Sequence, residues 1–211
     1  MGTSVGPDLQ SQVERVTRRL ASEFAGLFSR ETIARYVEES AALLSRGATV
    51  QRFIPIFVEG LARERLQALP QVDARIAIEV PEVLFVCVHN AGRSQMAASL
   101  LNYHAQGRAH ARSAGSLPAD QLNLAVVTAM SELGLDLSAA FPKPLTDEVV
   151  QAADVVVTMG CGDACPLLPG KQYLDWNVPD PMGQSLDRVR AIRDEIERHV
   201  LNLLSKVGAR A

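Results

Sequence analysis

Val83-Leu-Phe-Val-Cys87-Val-His-Asn-Ala-Gly-Arg93-Ser94 is the stretch that decides how this chain is read. Val83 to Val88 is a short apolar run rich in β-branched residues, as expected of a parallel strand buried on both faces. Arg93 to Tyr103 then carries the spacing of a helix. Between the two lies a cysteine followed, after five intervening residues, by arginine and serine. A loop that closes onto a helix N-terminus turns several backbone N–H groups into one concavity, and such a concavity binds anions. Val88, His89, Asn90, Ala91, Gly92, Arg93 and Ser94 form the candidate oxyanion cradle. Gly92 allows close backbone approach, and Asn90 tolerates left-handed φ/ψ where the loop curls. Arg93 can clamp a tetrahedral oxyanion through two parallel hydrogen bonds, and Ser94 can donate to the sulfur. The N–H array and Arg93 favour a thiolate at Cys87, and a thiolate under a bound oxyanion is set for in-line attack. His89 reads as a rim residue rather than a base.

Outward from this loop the pattern alternates. His110 to Gly115 and Asp154 to Thr158 read as further strands, and Tyr173 to Trp176 as an edge strand. Leu122 to Leu133, Thr146 to Ala152 and Leu186 to Leu204 read as helices. Alternating strands and helices predict a parallel sheet covered on both faces. Upstream, the period is that of helices throughout. Leu9, Val13, Val16, Leu20, Phe24 and Leu27 form one stripe. Ile33, Tyr36, Val37, Leu43 and Leu44 form a second, behind an N-cap at Ser29 and before a stop at Gly47. Phe53, Ile54, Phe57, Val58, Leu61 and Leu66 form a third, with Pro55 in its first turn and Pro70 at its end. The expected organisation is a three-helix bundle over residues 1–72 and an α/β domain over residues 80–211.

Composition excludes several classes of function. The 211 residues carry a net charge of −3, so no overall basic field draws in nucleic acid. No run approaches the roughly 18 apolar residues of a membrane span, and Met1 to Leu9 lacks the basic and apolar regions of a signal peptide. A cytoplasmic protein without a membrane partner is expected. The three cysteines, Cys87, Cys161 and Cys165, are an odd number and fit reactive thiols better than a disulfide framework. No second Cys/His pair lies near Cys161 and Cys165, so no metal site is expected.

Cys87, Arg93 and Ser94, with the Ser113-Ala114-Gly115 run, make residues 82–211 resemble the low-molecular-weight tyrosine phosphatase superfamily, which includes the thiol-coupled arsenate reductases. The resemblance implies a four-stranded parallel sheet flanked by helices. It also implies an acid in an Asp-Pro pair, and Asp180-Pro181 fits. Transfer from an oxyanion to sulfur expels an oxygen that must leave protonated, so a carboxylic acid should face the nucleophile. Met182-Gly183 follows that pair, where phosphatases of this kind usually carry aromatic residues to grip a phenyl ring.

Cys161-Gly-Asp-Ala-Cys165 directly follows a strand whose C-terminal end should share a sheet edge with the Cys87 loop. A phosphatase needs one thiolate, and further thiols expose it to oxidation. Reduction of As(V) to As(III) takes two electrons, which two thiols supply by pairing. The resemblance to the three-cysteine reductases therefore implies arsenate as the oxyanion, with Cys87, Cys161 and Cys165 acting in turn. It implies no bound cofactor and an external reductant, either thioredoxin or a low-molecular-weight thiol with a glutaredoxin-like protein. Two alternatives stand beside it: a phosphatase hydrolysing phosphomonoesters, and a non-enzymatic thiol sensor of oxidation or arsenic.

Overall fold

The computed structural model describes residues 7–45, 54–69, 80–160 and 167–207, which form two compact units. Gly47, Phe53 and Pro70, which the sequence placed at helix ends, lie outside the described residues.

In the first unit, α1 (Pro7–Glu23), α2 (Arg30–Ser45) and α3 (Ile54–Gln67) pack against one another. Val16, Leu20 and Phe24 meet Ile33, Tyr36 and Val37, with Val58, Ala62 and Leu66 completing a single apolar core. Pro55 sits in the first turn of α3, where its missing N–H costs nothing. Ser29 caps α2 by accepting from the Thr32 N–H at 3.1 Å. The first helix stops short of Leu27 because Gly26 takes a left-handed φ of 78°, turning Phe24 to Phe28 back on themselves. Charges that look scattered in the sequence meet across the bundle. Arg63 bridges Glu23 and Glu59, both at 2.9 Å. Buried Arg65 donates to Ser40 and Glu39 and lies 4.7 Å over the Tyr36 ring.

The second unit is a four-stranded sheet of order β2-β1-β3-β4, parallel throughout. Its strands are β1 (Glu82–Cys87), β2 (His110–Gly115), β3 (Val155–Met159) and β4 (Gln172–Asp175). The helices are α4 (Arg93–Ala105), α5 (Leu124–Ser131), α6 (Asp147–Ala152) and α7 (Leu186–Val207). Val83, Phe85 and Cys87 face a core shared with α4, α5 and α7, where Phe85 meets the Trp176 ring at 5.4 Å. Leu84, Val86 and Val156 alternate to the other face of the sheet. The chain goes from β1 to β2 on one side and returns to β3 on the other. That reversal opens a crevice at the C-terminal end of β1, the usual ligand position in such sheets. Cys87 is the last residue of β1, in register with Gly115 on β2 and Met159 on β3.

The helix limits differ from the expected ones by one to three residues, for local reasons. α5 begins at Leu124 rather than Leu122 because the Asn123 side chain accepts from the Ala125 N–H, making Asn123 the cap. Thr146 keeps an extended backbone and so precedes α6 rather than opening it. Val88 leaves the strand, its carbonyl accepting from the Leu117 N–H at 2.9 Å. No helix among the described residues is long and apolar enough to cross a membrane.

At the opposite edge of the sheet Glu82 ties three strands together. Its carboxylate accepts from His110 Nδ1 at 2.8 Å and Arg112 Nε at 3.0 Å, and its N–H donates to Asp154 at 2.9 Å. Burial pushes the Glu82 carboxyl up, but the hydrogen bond and charge of His110 and the charge of Arg112 outweigh it and hold it below the usual carboxylate range. A carboxyl lowered on folding stabilises the fold above its unfolded pKa and loses that contribution as pH falls through the folded value. Glu82→Gln should therefore cost about 1–2 kcal/mol at pH 7 in urea unfolding. The difference from the parent should shrink once the pH falls below about 4.

Candidate active site

The Cys87 loop is assembled around a sulfur that is buried yet fully engaged. Cys87 is free and 2% exposed. The backbone N–H of Asn90 donates to Sγ at 3.2 Å, and Ser94 Oγ lies 3.0 Å away. Asn90 takes the left-handed φ of 47° that lets the chain curl back over the sulfur. Its amide donates to Ser94 Oγ at 2.7 Å, and its Oδ1 accepts from the Lys143 N–H at 2.8 Å. Gly115 on β2 makes room for this curl: a Cβ there would stand 2.8 Å from the Val88 carbonyl and 2.9 Å from Asn90 Cβ. The Ser113-Ala114-Gly115 run thus has a steric reason for ending in glycine.

The loop faces a second segment carrying Asp180. Arg93, the first residue of α4, is nearly buried and donates to Asp180 Oδ2 at 2.7 Å and to the Val178 carbonyl at 3.3 Å. Asp180 Oδ1 accepts from the Met182 N–H at 2.9 Å. Pro181 packs on the loop so closely that a Cβ on residue 92 would lie 2.6 Å from its ring. Gly92 is therefore required by the neighbour it admits as well as by the anion site proposed from sequence. Asn123 fastens the two segments together. Its backbone N–H donates to the Ala91 carbonyl at 2.9 Å and its side-chain amide to the Pro181 carbonyl at 3.2 Å.

A pocket opens between these elements, lined by Cys87, His89, Ala91, Gly92, Arg93, Asn123, Asp180, Pro181 and Met182. Of the expected site residues, Cys87, Arg93 and Asp180 come together here, with His89, Ala91 and Gly92 on the wall. Val88, Asn90 and Ser94 do not line the pocket: Val88 bonds to the chain beyond β2, and Asn90 and Ser94 work beneath the sulfur. The guanidinium expected to clamp an oxyanion is held by Asp180 instead. Cys161 and Cys165 lie outside the described residues. Gly160, just before them, lies against Arg93: a Cβ there would be 2.9 Å from Nη1. Among the described residues no group of three His, Cys, Asp or Glu is arranged to hold a metal. Sequence reasoning missed Asn123 and Gln95. The cap signal before α5 could have found the first, and a polar residue on the inward face of the first turn of α4 the second.

A parallel sheet with a Cys-x5-Arg-Ser loop at its switch point defines the cysteine-loop, oxyanion-binding class of α/β proteins. Within that class, the chain belongs to the low molecular weight phosphotyrosine protein phosphatase family, whose model matches residues 82–211. Residues 13–70 match a protein-tyrosine-phosphatase-like N-terminal domain. A putative arsenate reductase of Halobacterium salinarum is 36% identical over 127 residues, covering 58% of this chain and 89% of the relative. A glutaredoxin arsenate reductase of Synechocystis is 32% identical over 130 residues, covering 60% of this chain and 98% of the relative. The solved structure of a thioredoxin-dependent arsenate reductase of Corynebacterium glutamicum is 44% identical, covers 95% of this chain and 98% of its own, and superposes with a TM-score of 0.84. That likeness includes the helical unit, which the two shorter relatives leave uncovered.

Gly92→Ala puts a methyl group into the Pro181 ring and should push the Asp180 segment away from Arg93. The expected cost is about 1–3 kcal/mol of stability by urea unfolding. A matching loss of affinity for inorganic phosphate, read by titration calorimetry, should accompany it.

Proposed function

We propose that this chain reduces arsenate to arsenite. The observation that carries the proposal is the buried Cys87 thiol, held by the Asn90 N–H and Ser94 at the base of a pocket whose wall bears Arg93 and Asp180. Its likeness along almost the whole chain to a thioredoxin-dependent arsenate reductase supports choosing arsenate over other oxyanions.

The chemistry follows from the geometry and the thiol count. In the free protein Asp180 occupies the Arg93 guanidinium. An arriving oxyanion competes for that guanidinium, and the helix N-terminus and loop N–H groups add to its hold. The Cys87 thiolate attacks arsenic, and Asp180, freed from Arg93 and protonated, gives its proton to the oxygen that leaves as water. Cys161 then attacks Cys87 Sγ. The As–S electron pair stays on arsenic, arsenite departs as As(III), and a Cys87–Cys161 disulfide forms. Cys165 attacks Cys161, frees the Cys87 thiolate and leaves a Cys161–Cys165 disulfide for an external dithiol. Gly160, the residue before Cys161 in the chain, lies against Arg93 on the pocket wall, which supports this order of thiols.

We assign the reductant as thioredoxin, following the relative that covers 95% of the chain, with a glutaredoxin-coupled thiol as the alternative. The helical unit, residues 1–72, is taken as a domain separate from residues 80–211 and without a part in the chemistry. A phosphomonoesterase reading draws on the same pocket. Exposed Met182 on the wall, in place of an aromatic side chain that could stack on a phenyl ring, counts against it.

Arsenate-dependent NADPH consumption with thioredoxin and its reductase should be sustained by the parent and abolished in Cys87→Ser, Cys161→Ser and Cys165→Ser. Asp180→Asn should lower turnover by roughly 10²–10⁴-fold, the usual range for a lost general acid. Turnover that appears only when glutathione, glutaredoxin and glutathione reductase replace the thioredoxin system, and that survives loss of Cys165, points to a glutathione-type donor. No arsenate turnover with brisk aryl phosphate hydrolysis makes the chain a phosphatase.

A further inference from the structure

Gln95 is buried, 5% exposed, and sits in the first turn of α4 next to Ser94. It does not line the pocket, yet its side-chain amide is among the most heavily used donors in the unit. Nε2 donates to the Asn90 carbonyl at 3.1 Å, to Asn90 Oδ1 at 2.9 Å and to the Phe141 carbonyl at 2.9 Å. An amide carries two hydrogens, so three acceptors saturate it and leave no freedom to rotate.

We infer that Gln95 is a positioning residue that sets the hydrogen-bond polarity beneath the Cys87 sulfur. The inference rests on Cys87 being the reactive thiol. Asn90 Oδ1 receives two donors, Gln95 Nε2 and the Lys143 N–H. With its oxygen so committed, the Asn90 side chain must present its NH₂ to Ser94 Oγ, at 2.7 Å. Ser94 then accepts from Asn90, and its own proton is left for the sulfur 3.0 Å away. The order of donors runs from Gln95 to Asn90 to Ser94 to Cys87. Without Gln95 only the Lys143 N–H still holds Oδ1, so the Asn90 amide turns more readily, and in the turned state Ser94 gives its proton to Oδ1 and the sulfur loses a donor that stabilises it as an anion. The bond to the Asn90 carbonyl acts in the same direction, because it pins the left-handed residue whose N–H is the other donor to sulfur. The Phe141 carbonyl fixes the glutamine itself from a segment 46 residues away.

The test separates reactivity from stability and from turnover. Gln95→Met keeps the length and removes the donors. Gln95→Glu keeps the shape and replaces a donor with an acceptor facing three acceptors. In variants that remain folded by circular dichroism, Cys87 should be alkylated by iodoacetamide roughly tenfold more slowly than in the parent, with Gln95→Glu the slower of the two. The comparison uses Cys161→Ser/Cys165→Ser backgrounds, so that one thiol is read. A purely structural glutamine would lower the melting temperature and leave the alkylation rate of the folded protein unchanged, which would overturn the inference. Should neither variant fold, the intact protein answers. The Gln95 and Asn90 side-chain amide resonances should both shift when Cys87 is alkylated, and silence at Gln95 would overturn the inference. Because alkylation needs no arsenate, failure of the parent to reduce arsenate would count against the reductase reading without touching this one.

Discussion

The structure of the α/β unit is organised by one requirement: a sulfur that can carry negative charge must be buried at a strand end and still be solvated by the protein. Cys87 is buried, so the Asn90 N–H, which donates to Sγ, and Ser94 Oγ, 3.0 Å from it, stand in for water. Meeting that requirement dictates much of what surrounds it. The loop must curl through a left-handed residue, and β2 must end in a residue without a side chain beside it. The Phe141–Lys143 segment must then return to hold the Asn90 amide. The parallel sheet brings this about economically, because every strand delivers its C-terminal end to the same edge.

The same edge receives the Asp180 segment, and the contact between the two is both steric and ionic. Pro181 occupies the space that any side chain at 92 would need, while Arg93 holds the Asp180 carboxylate. Asn123 fastens the pair from a third element. The Arg93 guanidinium is thus occupied by an internal anion, and on the proposed reading binding is an exchange of one carboxylate for one oxyanion. In the proposed reaction, an exchange of that kind would couple the arrival of substrate to the release of Asp180.

The sequence was most legible where structure is local. The β1 strand, the Cys-x5-Arg-Ser loop, the start of α4 and the Asp-Pro pair are read from neighbouring residues, and the Asn90 backbone behaves as its residue type predicts. Helix limits were off by a turn or less, because the capping side chain of Asn123, the extended backbone of Thr146 and the left-handed Gly26 decide ends that periodicity blurs. What stayed hidden were roles assigned by distant partners. Nothing near Gln95 announces the Phe141 carbonyl, nothing near Asn123 announces the Pro181 carbonyl, and the ion pair between Arg93 and Asp180 spans 87 positions. The ion pairs of the helical bundle, Glu23 with Arg63 among them, were invisible for the same reason.

The claim at the centre of this account is that Cys87 opens a relay of three thiols. Mass-spectrometric disulfide mapping of the fully reduced protein, after one equivalent of arsenate and with no reductant present, tests it most directly. A three-thiol relay releases one arsenite per chain and leaves a Cys161–Cys165 disulfide and a free Cys87. Arsenite release that leaves Cys161 and Cys165 both reduced, or no arsenite at all, would contradict it.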